Sequence, residues 1–242
     1  MSGRNGNRED RKLKIHGLQK MTLLDYPGRV ACTVFFGGCD MRCPFCHNAE
    51  LLDGSAPPVM TEEELLEFLD KRRGLLDGVA FTGGEPLLQK DLPELAGRIR
   101  DLGYPVKLDT NGTHPERLVR MIREGLVQYV AMDIKNSPDR YAETAGLDTL
   151  DMEPIRESVS ILLEGNVDYE FRTTAVAELH DDSSFEQIGR WIRGAGHYYL
   201  QRFTDRDTVP FEGLHAPTAE QMKRWADIVR PCVPAVELRG VD

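Results

Sequence analysis

Cysteine is scarce in this chain, five in 242 residues, and the number is odd. Disulfide frameworks staple small secreted domains, so this count and this length argue against one. No run is apolar enough to cross a bilayer, and the opening MSGRNGNREDRKLKIHG lacks a secretory apolar stretch. The expected location is the cytoplasm, with no membrane partner. No block of lysine and arginine exceeds a few residues, and 40 acidic against 30 basic residues give a net charge of −10. That removes the basic footprint of a nucleic-acid binder and leaves a charge suited to solubility. The two tryptophans, Trp191 and Trp225, fall in helix-periodic segments and read as packing rather than as base-stacking platforms. No long Pro/Gly/Ser linker divides the chain. One domain is expected over residues 15–242, with a core over about 30–205, a C-terminal helix and tail over 206–242, and a flexible polar tail over 1–14.

Strand-like runs alternate with helical periodicity along that domain. The runs cover 30–36, 78–82, 106–110, 128–134, 169–176 and 198–203. Between them Thr61 and Glu64 form a capping-box signature ahead of Leu65, Leu66 and Leu69. Further helices are expected over 92–102, 115–124, 154–164, 185–194 and 218–229, followed by a short apolar tail holding Val236. Strand–helix alternation implies a parallel sheet covered by helices, an α/β fold. Full eight-unit barrels run to about 250 residues. Six units in this length suit an incomplete (β/α)6 TIM-like barrel, open on one side.

Three of the cysteines, Cys39, Cys43 and Cys46, share one loop, GGCDMRCPFCHN, in C-x3-C-x2-C spacing. Three thiolates so close can hold three corners of a cubane iron–sulfur cluster. Clusters normally take four cysteines, so the missing ligand leaves one iron open to a small molecule. A zinc site would want a fourth ligand. His47 is the nearest donor, but it directly follows Cys46, and adjacent residues rarely both reach one tetrahedral ion. Cys32 reads as a buried core thiol and Cys232 as a surface thiol. Polar residues also gather where strands end: GGEP, Asp109 to Asn111, Asp133 to Lys135, Arg172 to Thr174, and Gln201. Asn111–Gly112 alone is an ordinary turn and Asp133 alone a helix cap. Together they mark the rim at which α/β barrels build chemistry.

The segments LDYPGRVACTVFFGGCDMRCPFCHN, FTGGEPLLQ, LDTNG, AMDIK and EFRTT resemble the radical S-adenosylmethionine (SAM) superfamily. Within it they resemble the activating proteins of glycyl-radical enzymes. They are most similar to the anaerobic ribonucleoside-triphosphate reductase activating proteins of the longer, single-chain type, over residues 15–203. The resemblance implies a [4Fe–4S] cluster on Cys39, Cys43 and Cys46, with SAM chelated to the open iron. Phe45, Cys46 and His47 would pack on adenine, while Gly83, Gly84 and Glu85 would lie along the methionyl ammonium. Asp133 and Lys135 would meet the nucleoside or carboxylate side, near Asp109 and Asn111. By the same resemblance Asp109, Thr110 and Asp133 match a monovalent-cation site, although Ala131 stands where methionine is common.

The implied reaction is one-electron cleavage of SAM to methionine and a 5′-deoxyadenosyl radical, which takes a hydrogen atom from a glycine Cα of a partner enzyme. Positioning and water exclusion then matter more than acid–base groups. The electron would come from a flavodoxin or ferredoxin. Arg172, Thr173, Thr174, Gln201 and Phe203 are the candidates for holding the partner's glycine loop. Alternatives are another glycyl-radical partner of the pyruvate formate-lyase type, a small-molecule substrate, or a non-catalytic iron–sulfur carrier. His16 reads as a strand residue near the N-terminus, His180, His197 and His215 as structural, and Asp181–Asp182 as a solvated turn.

Overall fold

The computed structural model describes residues 13–241; of the tail expected over 1–14, residues 1–12 lie outside them. Leu13 is already buried and the first strand starts at Lys14, so the folded body begins inside the range assigned to the tail. In chain order the elements are β1 (Lys14–Thr22), β2 (Ala31–Phe36), β3 (Met60–Thr61), α1 (Glu62–Asp70), β4 (Gly78–Gly83), α2 (Leu92–Asp101), β5 (Val106–Thr110), α3 (Pro115–Arg123) and β6 (Tyr129–Asp133). There follow α4 (Tyr141–Thr144), α5 (Glu153–Leu163), β7 (Asp168–Ala175), α6 (Asp182–Trp191), β8 (His197–Arg202), α7 (Ala219–Val229) and β9 (Ala235–Arg239).

Among the described residues nine strands form one sheet in the order β3-β1-β2-β4-β5-β6-β7-β8-β9. From β2 to β9 every neighbour is parallel, whereas β1 runs antiparallel to both β2 and β3. Among the described residues no pairing joins β3 to β9, so the barrel stays incomplete. The expected six units are there as β2 and β4 to β8. The apolar tail around Val236 is a seventh parallel strand, β9, and His16 sits in β1.

Period-two alternation sends each strand's residues to opposite faces. One face is apolar and covered by helices: Val34, Phe36, Val79, Phe81, Leu108, Val130, Met132, Phe171 and Leu200 have no exposure at all. Burying each such side chain stabilises the fold by about 1.5–3 kcal/mol. Helices answer with their own stripes, such as Leu92, Leu95, Ala96 and Ile99 of α2. Helix α1 starts at the expected capping box, Thr61 and Glu64 bonding reciprocally. Helix α6 starts at Asp182, earlier than expected. Asp181 caps it by accepting from Ser184 N, while Asp182 accepts from Trp225 Nε1 at 3.1 Å. The pair is a helix start and not a solvated turn.

The other face lines the barrel interior and is polar. Glu170, 1% exposed, accepts from both terminal nitrogens of Arg239 at 3.1 Å and from the Tyr129 hydroxyl at 2.9 Å. Lys107 is equally buried and pairs with Asp109. Buried charge is tolerated only when paired in this way. The two tryptophans pack as expected, Trp225 stacked on Phe185 and Trp191 edge-on to Tyr141.

Candidate active site

The loop after β2 is held from four sides, which fixes where its sulfurs point. At its entry Gly37 N donates to His16 Nδ1 (2.9 Å), and Gln89 Nε2 donates to Gly37 O (2.8 Å). Gly38 N and Cys39 N donate to the carbonyls of Leu51 and Leu52, and Arg42 N donates to Ala145 O. At its exit Asn48 Nδ2 donates to Gly83 O (3.1 Å), and His47 Nε2 lies 2.7 Å from Thr204 O with its ring stacked on Phe203. Cys39, Cys43 and Cys46 all line one cavity of about 180 Å³. Cys32 and Cys232 do not.

Burial pushes the Cys39 thiol up to about 12, the Cys43 thiol up to about 11, and raises Cys46 as well. Without a metal charge these sulfurs stay protonated at neutral pH. Donors nevertheless aim at Cys39 Sγ: Met41 N at 3.4 Å and Asn111 Nδ2 at 3.8 Å. Three convergent sulfurs, with N–H groups aimed at one of them, are what an iron–sulfur cluster bound as thiolates requires. The residues fit that group.

The GGE segment ends β4 against this loop. Gly84 N donates to Phe36 O (2.9 Å) and Glu85 N to Gly38 O (2.8 Å). A Cβ at Gly83 would collide with the Phe36 backbone, and one at Gly84 with the Gly38 carbonyl. The glycines thus permit a backbone approach that no larger residue allows, and both line the cavity.

Glu85 departs from expectation. Its side chain is fully buried and turned away from the cavity, accepting from Leu87 N (2.9 Å), Thr110 Oγ1 (3.0 Å) and Asn111 N (2.7 Å). Burial raises it to about 7 against the opposing pull of those amides. It ties the end of β4 to the end of β5.

Asp109, Thr110, Asn111, Asp133, Lys135, Arg172 and Thr174 also line the cavity, as do Phe45 and His47. Arg172 bridges two strands, Nη2 lying 3.2 Å from Asp109 Oδ2 and Nε 2.5 Å from Asp133 Oδ1. Lys135 Nζ donates to Asp133 Oδ2 at 2.9 Å. Burial alone would raise the Asp133 carboxyl, but Arg172 and Lys135 hold it well below the usual carboxylate range. Behind them His180, structural as expected, takes the Val176 N–H on Nδ1 (3.1 Å) and faces Lys135 O from Nε2 (2.9 Å).

Three loop candidates stand elsewhere. Thr173 faces the helix layer, donating to Ile134 O and accepting from Tyr198 OH, both at 2.7 Å. Phe203 is buried under His47. Gln201 faces the interior at the register of Thr174 and Arg239 but does not reach the cavity.

The sequence reading missed Met41, Asn48, Leu52 and Thr82 on the wall. It also missed a polar knot beside Cys39. Asp40 accepts from Asn111 Nδ2 (2.7 Å) and Thr113 Oγ1 (2.5 Å), with His114 Nε2 at 3.2 Å. Burial opposes ionisation of Asp40, but these donors outweigh it and hold the carboxyl down at about 2. The D-M-R spacer between cysteines was the available signal, since an acid there must find partners.

Residues 33–192 match the Radical SAM superfamily. This chain belongs to it. Within the superfamily it belongs to the activating enzymes of glycyl-radical enzymes. It is 32% identical, over 96% of its own length and 98% of the other's, to a Methanocaldococcus jannaschii protein provisionally named a glycyl-radical enzyme activating enzyme. It is 33% identical, over 52% of this chain and 54% of the other, to the pyruvate formate-lyase-activating enzyme of Clostridium pasteurianum. In fold it is similar to a domain of the Bacteroides vulgatus pyruvate-formate lyase-activating enzyme, with a TM-score of 0.56 at 18% identity over 67% of this chain and 99% of that one. Membership of the radical SAM superfamily implies a [4Fe–4S] cluster and SAM. Among the described residues no helix is long and apolar enough to cross a membrane.

Proposed function

We propose that this radical SAM activase installs the glycyl radical of an anaerobic ribonucleoside-triphosphate reductase, drawing its electron from a flavodoxin or ferredoxin. The observation that carries the reading is the set of three cysteines on one cavity, with no fourth cysteine beside them, in a sheet left open between β3 and β9. A cluster held there would keep one iron free for SAM, and the open side would admit a loop from a large partner. When bound, the cluster and SAM would supply the chemistry, one-electron cleavage of SAM and removal of a hydrogen atom from a glycine Cα.

The chain's own residues bind and orient. Cys39, Cys43 and Cys46 hold the cluster. The backbone of Phe45 to His47 would pack on adenine, and carbonyls of the Gly83–Gly84 segment would meet the methionyl ammonium. Lys135 and Arg172 are the cavity's cations and suit the methionyl carboxylate. Asp109 and Asp133 hold those cations in place, while Asn111 braces the cluster loop. Thr174, on the cavity wall beyond Arg172, is the remaining candidate for the glycine loop. No group is required as a general base.

The test is anaerobic. The reconstituted, reduced protein is given SAM with and without the reductase, 5′-deoxyadenosine is quantified, and the same samples are examined by electron paramagnetic resonance. SAM cleavage with a glycyl doublet on the reductase supports the reading. Cleavage with a doublet only on a pyruvate formate-lyase moves the partner to that type. Cleavage with neither doublet sends the radical to a small molecule, and no cleavage by a loaded, reduced cluster refutes the enzyme reading.

A further inference from the structure

Lys107 is the most unexpected residue in the barrel. It stands mid-strand on β5, is 2% exposed, and is among the largest fully buried side chains. A buried ammonium needs a fixed anionic partner, and Lys107 Nζ has Asp109 Oδ1. From there a row of alternating charge crosses three strands. Asp109 Oδ2 faces Arg172 (3.2 Å), Arg172 faces Asp133 Oδ1 (2.5 Å), and Asp133 Oδ2 faces Lys135 (2.9 Å).

The three residues matched to a monovalent-cation site are thereby fully engaged. All four oxygens of Asp109 and Asp133 already meet a positively charged nitrogen. The third candidate, Thr110 Oγ1, donates to Glu85 Oε1 (3.0 Å) and accepts from Gly112 N (3.1 Å). A hard cation takes oxygen ligands. Here it would displace side-chain cations and sit among three positive charges, which repel it. These residues do not fit a bound monovalent cation.

Charge balance shows what the row suits instead. Lys107, Arg172 and Lys135 against Asp109 and Asp133 leave one net positive charge. Lys135 and Arg172 face the cavity, but Lys107 does not. One carboxylate ligand closes the balance, and the carboxylate end of SAM is such a ligand. Lys107 pairs with Asp109 from below, so that Asp109 need not be satisfied by an ion from solution. Unlike a dissolved ion, a tethered ammonium is always present and does not vary with the salt outside.

We propose that the Lys107 ammonium takes the place of a monovalent cation beneath the SAM pocket, so that SAM binding is indifferent to potassium and sodium. The proposal rests on the reading of this cavity as the SAM site. The experiment has two arms, so that either reading can fail alone.

In the first arm, SAM affinity of the anaerobically reconstituted protein is measured by equilibrium dialysis. The salts are potassium, sodium and N-methylglucamine chlorides at equal ionic strength. The three affinities are expected to agree within about twofold. Lys107→Ala, which removes the charge and makes room, is expected to bind about tenfold more weakly in N-methylglucamine and to recover in potassium or sodium. Lys107→Met, which removes the charge and keeps the volume filled, is expected to stay weak in all three.

In the second arm, thallium(I) is titrated into the unloaded proteins and followed by thallium nuclear magnetic resonance. A site-bound signal is expected from Lys107→Ala and not from wild type.

A fivefold gain in wild-type affinity with potassium or sodium overturns the proposal. So does a thallium signal from wild type, and so does a Lys107→Ala variant that binds SAM as wild type in every salt. Should the variants not fold, the wild-type salt series and thallium titration still decide. Absence of SAM binding in every salt would refute the pocket reading while the thallium arm still tests the lysine.

Discussion

Replacing Glu85 by alanine separates two roles for the GGE segment. The resemblance to known activases lays Glu85 along the methionyl ammonium with Gly83 and Gly84, through a carboxylate or a carbonyl, but the structure turns the carboxylate away, into contact with Leu87 N, Thr110 Oγ1 and Asn111 N. Glu85→Ala leaves these three donors unpaired in a site with no exposure. At roughly 1 kcal/mol or more per stranded donor, the loss is about 3 kcal/mol or more. It should show as a lower urea midpoint of the unloaded protein at pH 6.

A pH series sharpens the test. Burial raises the folded carboxyl from 4.5 to about 7, so between those values the folded chain keeps a proton that the unfolded chain has released. Wild-type stability therefore falls as pH rises from 4.5 to 7, by an amount on the order of 3 kcal/mol. The alanine variant lacks this slope, so the gap between the two proteins narrows toward pH 8. A variant that keeps the wild-type midpoint at pH 6 yet loses SAM binding would refute the strut and restore the ligand role.

Three further outcomes follow from the loop's restraints. His47→Ala removes the stacking on Phe203 and the link to Thr204 O, loosening the loop by about 1–2 kcal/mol; iron should leave the reconstituted protein faster in the presence of a chelator, and an unchanged release rate would count against the latch. Asn111→Ala removes the donor to Cys39 Sγ and Asp40. Loss of about 1 kcal/mol that favours the reduced cluster lowers its midpoint potential by about 40 mV, read by potentiometric titration, and an unmoved potential argues that Asn111 does not touch the sulfur. Thr61→Ala breaks the α1 capping box at a cost of about 1 kcal/mol with SAM affinity unchanged; a stability loss near zero would show that the cap contributes little.

The six parallel strands β2 and β4 to β8 were legible because their helix-facing residues are apolar runs with glycine or polar stops. Two others were not, and β1 showed only as a strand residue at His16. In β1, KIHGLQKMT, much of the strand is exposed or half-buried, so its pattern is diluted, and its pairing with β2 depends on a partner that local sequence does not name. β3 has two residues, too short to carry a period. β9, AVELR, looked like a tail because its partner, β8, lies across α7. The start of α6 was overlooked for a different reason. Asp181 and Ser184 form a capping box, but two adjacent aspartates carry the same signal as a solvated turn.

The site was legible where side-chain type alone carries the chemistry, and obscure where direction decides. Cysteines at that spacing have few uses, whereas a glutamate after two glycines can face either way. Lys107 shows the harder case. In VKLDT the alternation of apolar and polar residues, by itself, is also that of a strand with one face in water. A parallel sheet in an α/β fold has both faces covered, so polar residues alternating within parallel strands cannot all face solvent. They line the interior, where each charge must find an opposite one. The same alternation in EFRT of β7 supplies Glu170 and Arg172, and Asp133 ends the otherwise apolar VAMD of β6. The strand–helix periodicity and the polar alternation were each visible in the sequence. Taken together they require an internal charge row across adjacent strands, and its members are Lys107, Asp109, Arg172 and Asp133.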